Sequence, residues 1–188
     1  MSPSKVSVGS ISPPGFNAPA AGFEQPFEML TACHERVERT LRLLLKLVEY
    51  VAKRGVDAQA RAAASDVLRY FNVAAPLHHQ DEELHVFPLL LAQGDAALSV
   101  QVRTMQSDHQ RMDKLWRELR PRLVALTDNE GAVTDLAPLR HMARAFCDLY
   151  ASHLQIEQAV LFPAAAQLKT PDELQGMGDE MRQRRTTP

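Results

Sequence analysis

Cysteine occurs only twice in the 188 residues, and neither Cys33 nor Cys147 belongs to a CxxC pair. That scarcity excludes a disulfide scaffold and a cysteine-ligated zinc or iron–sulfur site. Two thiols far apart in sequence suit a reducing compartment, so the expected location is the cytoplasm. No apolar run reaches the roughly 18 residues that a membrane span requires. Even LRLLLKLVEYVAK, the most apolar stretch, is broken by charges. The opening segment MSPSKVSVGSISPPGFNAPAAGFEQP has neither the cationic start nor the apolar stretch of a secretory signal. Net charge is −2 with both signs interspersed, so neither a membrane nor a nucleic acid is an expected partner. Period-two alternation is absent as well, which removes the case for β structure.

What the chain has instead is helical periodicity. Phe27, Leu30, His34, Val37, Leu41, Leu44 and Val48 step by three and four, as do Leu98, Val102, Met105, His109, Met112, Trp116, Leu119 and Leu123. Two further stripes run through Phe71, Ala75, His78, Glu82, His85 and Leu89, and through Leu139, Met142, Phe146, Leu149, His153, Glu157, Val160 and Ala164. Polar residues thus lie on the faces that should point inward. Breaks fall at RGVD (54–57), QGD (93–95) and TDNEGAVTD (127–135), where Asp135 suits an N-cap and Pro138 a first turn.

Four long helices with short connections predict an all-α, up-down-up-down four-helix bundle. Its expected span is residues 23–168, after a flexible arm over 1–22 and before a short C-terminal helix and tail over 169–188. In that tail Thr170 should cap and Pro171 should open the helix. A kink is expected near Pro76, because an interior proline removes a backbone hydrogen bond. Pro88 and Pro163 follow Phe87 and Phe162 in matching positions and should shape the helix just past the polar groups.

One offset of 75 residues relates His34 to His109, Phe71 to Phe146, His78 to His153, Glu82 to Glu157 and Phe87 to Phe162. The chain reads as two copies of a helix pair. Near-equal arms from each turn bring the four histidines to one level of the bundle, at about 1.5 Å of rise per residue. Any single His–Glu pair at this spacing reads better as a hydrogen-bonded core pair. For the whole set that account fails, because two carboxylates buried without a counter-charge cost several kcal/mol each. A divalent cation solves the problem, and imidazole with carboxylate suits Fe, Mn or Zn. Two six-coordinate ions fit better than one, since two bridging glutamates and four histidines then leave positions for a bridging oxo or hydroxo group and a small ligand.

With LHVFP and VLFP following the two HxxxE pairs, these residues closely resemble the hemerythrin-like family, also called the HHE cation-binding domain. The resemblance covers about residues 26–168. It implies a four-helix bundle around an oxo- or hydroxo-bridged non-haem di-iron centre, with Zn, Mn or Ni as substitutes in a recombinant sample. His34, His78, His109 and His153 are implied as terminal ligands, and Glu82 and Glu157 as bridges. Oxygen-carrying members have a further histidine four residues after that of the third helix; here Asp113 stands there. Asp113 and its repeat partner Glu38 fall one step off the stripe and should face solvent or support the ligands from outside. His85 remains open as a ligand, a hydrogen bonder to a bound molecule, a proton relay or a satisfied helix-end histidine. His79 should face sideways, and His141 should lie near the bundle end. A ferritin-like site would need ExxH on two helices, and Val160 breaks the second.

The expected function is binding or sensing of O2, NO or peroxide, or holding of iron, ahead of enzymatic action. The alternatives are redox chemistry on peroxide or NO, repair of iron–sulfur clusters, or an interaction module with a structural metal. A homodimer is compatible with each.

Overall fold

A computed structural model describes residues 22–128 and 135–186. The proposed flexible arm, apart from Gly22, and the centre of the 127–135 turn lie outside the described residues. Within them every regular element is helical and no strand occurs.

Helix α1 (Pro26–Arg54) opens with proline at its first position and closes at Gly55, whose φ of 77° ends the helix while its N–H donates to Val51 O. Helix α2 (Ala58–Arg69) starts at Asp57, which accepts from the Ala60 N–H at 2.9 Å. The same rod continues through π1 (Tyr70–Ala74), α3 (Ala75–Asp81), π2 (Glu82–Val86) and α4 (Phe87–Ala92). Asp95 caps α5 (Ala96–Thr127) by accepting from the Leu98 N–H. The fourth rod runs through α6 (Ala137–Ile156), π3 (Glu157–Leu161) and α7 (Phe162–Ala166). Asp135 accepts from the Ala137 N–H at 2.9 Å, so it caps from one residue earlier than a formal N-cap. The first rod packs on the second and fourth, and the third also packs on both, which makes an up-down-up-down ring.

The distortion expected near Pro76 takes the form of π1. There the Ala75 N–H donates to Tyr70 O, five residues back instead of four. The same happens before Pro88 and Pro163, where Phe87 bonds Glu82 O and Phe162 bonds Glu157 O. In each case the carbonyl that a proline ring would strike, four residues earlier, lies inside the widened turn. Pro121 sits in uninterrupted α-helix, and nothing in its surroundings explains the difference.

The C-terminal helix α8 (Pro171–Thr186) spans 16 residues. Thr170 Oγ1 accepts from the Glu173 N–H, and Glu173 accepts from the Thr170 N–H, a reciprocal capping box. Met177 and Met181 bury against Phe27, Leu30, Phe87 and Phe162. Along every rod of the bundle one polar layer separates this apolar cluster from a second one built around Leu44, Phe71, Trp116 and Phe146.

Candidate metal centre

The polar layer holds His34, His78, Glu82, His109, His153 and Glu157, all buried. The structure brings all six sequence candidates together. His34 Nε2 lies 3.0 Å from His78 Nε2, and His109 Nε2 lies 3.2 Å from His153 Nε2. Glu82 reaches His78 through Oε1 at 3.1 Å and His109 through Oε2 at 3.3 Å. Glu157 reaches His153 through Oε1 at 2.9 Å and His34 through Oε2 at 3.3 Å. Each carboxylate therefore spans the two histidine pairs. Two groups that could hold a metal ion result, His34–His78–Glu82–Glu157 and Glu82–His109–His153–Glu157, each with its potential donor atoms within 4.8 Å of one another.

The charges of this cluster call for a cation. All four oxygens of Glu82 and Glu157 are buried and accept no hydrogen bond. Burial alone would raise the Glu82 pKa, yet His78, His109 and His34 hold it well below the ordinary carboxylate value. Burial would likewise lower His78, but Glu82 and then Cys33 beside it raise it well above the usual value. His109 is raised in the same way, chiefly through Glu82. The carboxylates thus depend on positive charge at the imidazole tips, which either protons or metal ions can supply. Metal binding at such a site displaces protons.

The π turns position the glutamates and correct one sequence expectation. Both π2 and π3 begin at a glutamate of the cluster, and each inserts one residue into the stripe. Beyond the insertion the buried positions are Val86, Phe87 and Leu90, and Leu161, Phe162 and Ala165. The stripe expected through His85 and Leu89, and through Val160 and Ala164, is displaced by one. His85 consequently turns away from the cluster and pairs with Glu180 of α8 at 2.5 Å. Glu38 and Asp113 face solvent, paired with Arg42 and Arg117. His141 is exposed.

Sequence reasoning missed the groups around the six. Glu83 accepts from His109 Nδ1 and from Gln106 Nε2, both at 2.9 Å. Asp108, buried, places Oδ2 3.7 Å from His153 Nδ1 and binds Arg111 at 2.7 Å. His79, expected to face sideways, does leave the cluster, yet its ring stacks on His109 with centroids 4.1 Å apart. Its Nε2 lies 3.3 Å from the Tyr150 hydroxyl. Burial first, then the neighbouring His109, keeps the His79 pKa well below the ordinary value. These residues lie between helices, one step off each inward stripe. For Glu83 and His79 the available signal was the broken repeat, since their partners 75 residues on are Gln158 and Leu154.

Among the described residues no helix is long and apolar enough to cross a membrane. The profile of the hemerythrin HHE cation-binding domain matches residues 25–165. An uncharacterized protein of Haemophilus influenzae is 32% identical over 165 residues, which cover 88% of this chain and 92% of that protein. A bundle with this histidine and glutamate layer, matched over most of its length, belongs to the hemerythrin HHE cation-binding domain family.

Proposed function

We propose that residues 23–168 form a metal-binding unit that holds two iron ions and binds or senses a small ligand such as O2, NO or peroxide. His34 and His78 would hold one ion, His109 and His153 the other, and Glu82 and Glu157 would serve both. One observation carries the reading: each glutamate presents one oxygen to each histidine pair, with no hydrogen bond to either oxygen. Single-metal binding would leave half of those oxygens uncompensated in a dry core. Imidazole and carboxylate donors suit iron, and also admit Zn, Mn or Ni. Bound there, iron would supply Lewis-acidic and redox chemistry.

The protein's own contribution is to orient and to exclude. The apolar clusters on both sides keep water from the layer. A cavity of about 70 Å3 opens beside His79, between Phe71, Met112, Trp116 and Tyr150. Its size suits a molecule of two or three atoms and no organic substrate. The free thiols Cys33 and Cys147 suit a cytoplasmic setting.

A second reading, redox turnover of peroxide or NO, is favoured by one feature. The His79 Nε2 and Tyr150 hydroxyl pair lines that cavity and can pass a proton across it.

Metal analysis of the chain expressed with iron, with an optical spectrum before and after reduction and exposure to air, tests both. About two irons per chain and a stable air-exposed form support binding or sensing. Rapid oxidation without such a form supports turnover. Glu157→Ala should lower the iron content while the helical signal stays intact; unchanged iron would sink the bridging role.

A further inference from the structure

Five of the 21 lysines and arginines line one cleft, although the charges look evenly mixed along the sequence. Arg36, Arg39, Leu43 and Lys46 step by three and four along one face of α1, and Arg42 stands at the rim. Arg69 and Asp66 of α2 oppose them, paired with each other at 2.7 Å. Asp66 is the single acidic residue of the lining, and Arg42 is offset from outside by Glu38 at 3.2 Å. Arg36, Arg39 and Lys46 make no ion pair among the described residues, and Arg36 Nη2 is buried without a hydrogen-bond partner. Like charges that share one cleft repel one another, so an anion bound there would be favoured.

The lining is not wholly polar. Leu43, Ala74 and Tyr70 belong to it, and the Tyr70 hydroxyl donates to Cys33 O at 3.4 Å. Tyr70 and Ala74 are the first and last residues of π1. Unlike π2 and π3, this π turn carries no glutamate of the metal cluster, and both its end residues face the cleft. The cavity of about 350 Å3 lies at the small end of the range for small-molecule sites, about 300–1,000 Å3. That volume admits a mononucleotide or an aryl phosphate and no polymer.

We propose that this cleft binds an organic phosphate with a planar or apolar body. The arginines would grip the phosphate through their paired N–H groups, and the body would lie on Tyr70, Leu43 and Ala74. Nothing in this site depends on the metal centre, so it stands or falls apart from the di-iron reading.

Calorimetric titration of the full-length chain with ADP, adenosine and inorganic pyrophosphate, at about 0.15 M salt, tests it. ADP should bind at least about tenfold more tightly than either fragment. Arg39→Glu with Lys46→Glu, both exposed positions, should weaken ADP about tenfold or more, whereas Arg103→Glu on α5 should change it less than about twofold. Because polyphosphates can strip iron, the titration is repeated on metal-free chain and should give the same affinity. No ADP binding up to about 1 mM overturns the proposal. So does equal binding by pyrophosphate, equal weakening by Arg103→Glu, or a signal that disappears without metal.

Discussion

In the first copy of the repeat, the outer nitrogens of both cluster histidines, His34 Nδ1 and His78 Nδ1, have no hydrogen-bond partner. In the second copy His109 Nδ1 is held by Glu83 at 2.9 Å, while His153 Nδ1 makes no hydrogen bond but has the buried Asp108 carboxylate 3.7 Å away. The inner groups are alike in both, yet Cys33 stands at the position equivalent to Asp108. A carboxylate behind an imidazole fixes its tautomer and makes it a stronger donor. On the two-ion reading proposed above, the two metal positions are therefore expected to be unequal, the His109–His153 position holding its ion more tightly. The cavity beside His79 opens on that same side, since His79 stacks on His109.

Glu83→Gln attacks this inequality directly and has the largest expected effect. It keeps the shape and removes the charge behind His109. Loss of such outer support costs about 10–100-fold in metal affinity. Competition against a chelator should show one of two metals weakening by that factor while the other is unchanged. Parallel weakening of both, or of neither, would show that the two positions are equivalent.

The sequence carried the fold and the six inner groups because both follow from simple periods. Helical spacing located every rod, and the 75-residue offset paired His34 with His109 and Glu82 with Glu157. What it did not carry depends on a departure from the α period. A stripe drawn at three and four residues through Glu82 lands on His85, and only the extra residue of π2 turns that side chain toward α8. Prolines at 76, 88 and 163 announced a disturbance without stating its form. Glu83 and Asp108 escaped because they lie between two helices, where a one-helix stripe assigns no partner. The basic cleft escaped for the same reason: Arg36, Arg39 and Lys46 lie on one helix, and Arg69 lies on another.

The halves also differ in what α8 covers. Asp81 of the first copy is fully buried and accepts from Arg184 at 2.5 Å and from Arg185 at 2.6 and 3.2 Å. Its equivalent in the second copy is Ile156. Asp81→Asn should leave Arg185 without its counter-ion and Arg184 with Glu180 alone. Hydrogen bonds to charged groups contribute about 1.5–3 kcal/mol each, and both arginines can partly turn to solvent, so about 2 kcal/mol is expected. That corresponds to a fall of about 5 °C in melting temperature, with α8 becoming the first site of proteolysis. An unchanged melt would assign the docking to Met177 and Met181 alone.

The smallest effect is electrostatic and sits where Val160 replaces His85 in the other copy. Glu180 bonds Arg184 and His85, and the Arg184 hydrogen bond, followed by that of His85, holds its carboxyl at about 2 instead of 4.5. A depressed pKa in the folded state means that this contact stabilises fully above about 4.5, and that its contribution declines as pH falls from there toward about 2. The Glu180 side chain is 38% exposed, so solvent screening keeps the contribution under about 1 kcal/mol. The melting temperature of the native chain minus that of Glu180→Gln should be positive and flat above pH 5, and should shrink toward zero as pH approaches 2. Salt at about 0.5 M should compress the plateau, because screening shortens the reach of exposed charges. A difference that persists undiminished in acid would mean that Glu180 contributes shape and not charge, and the two copies would then differ at this edge only in packing.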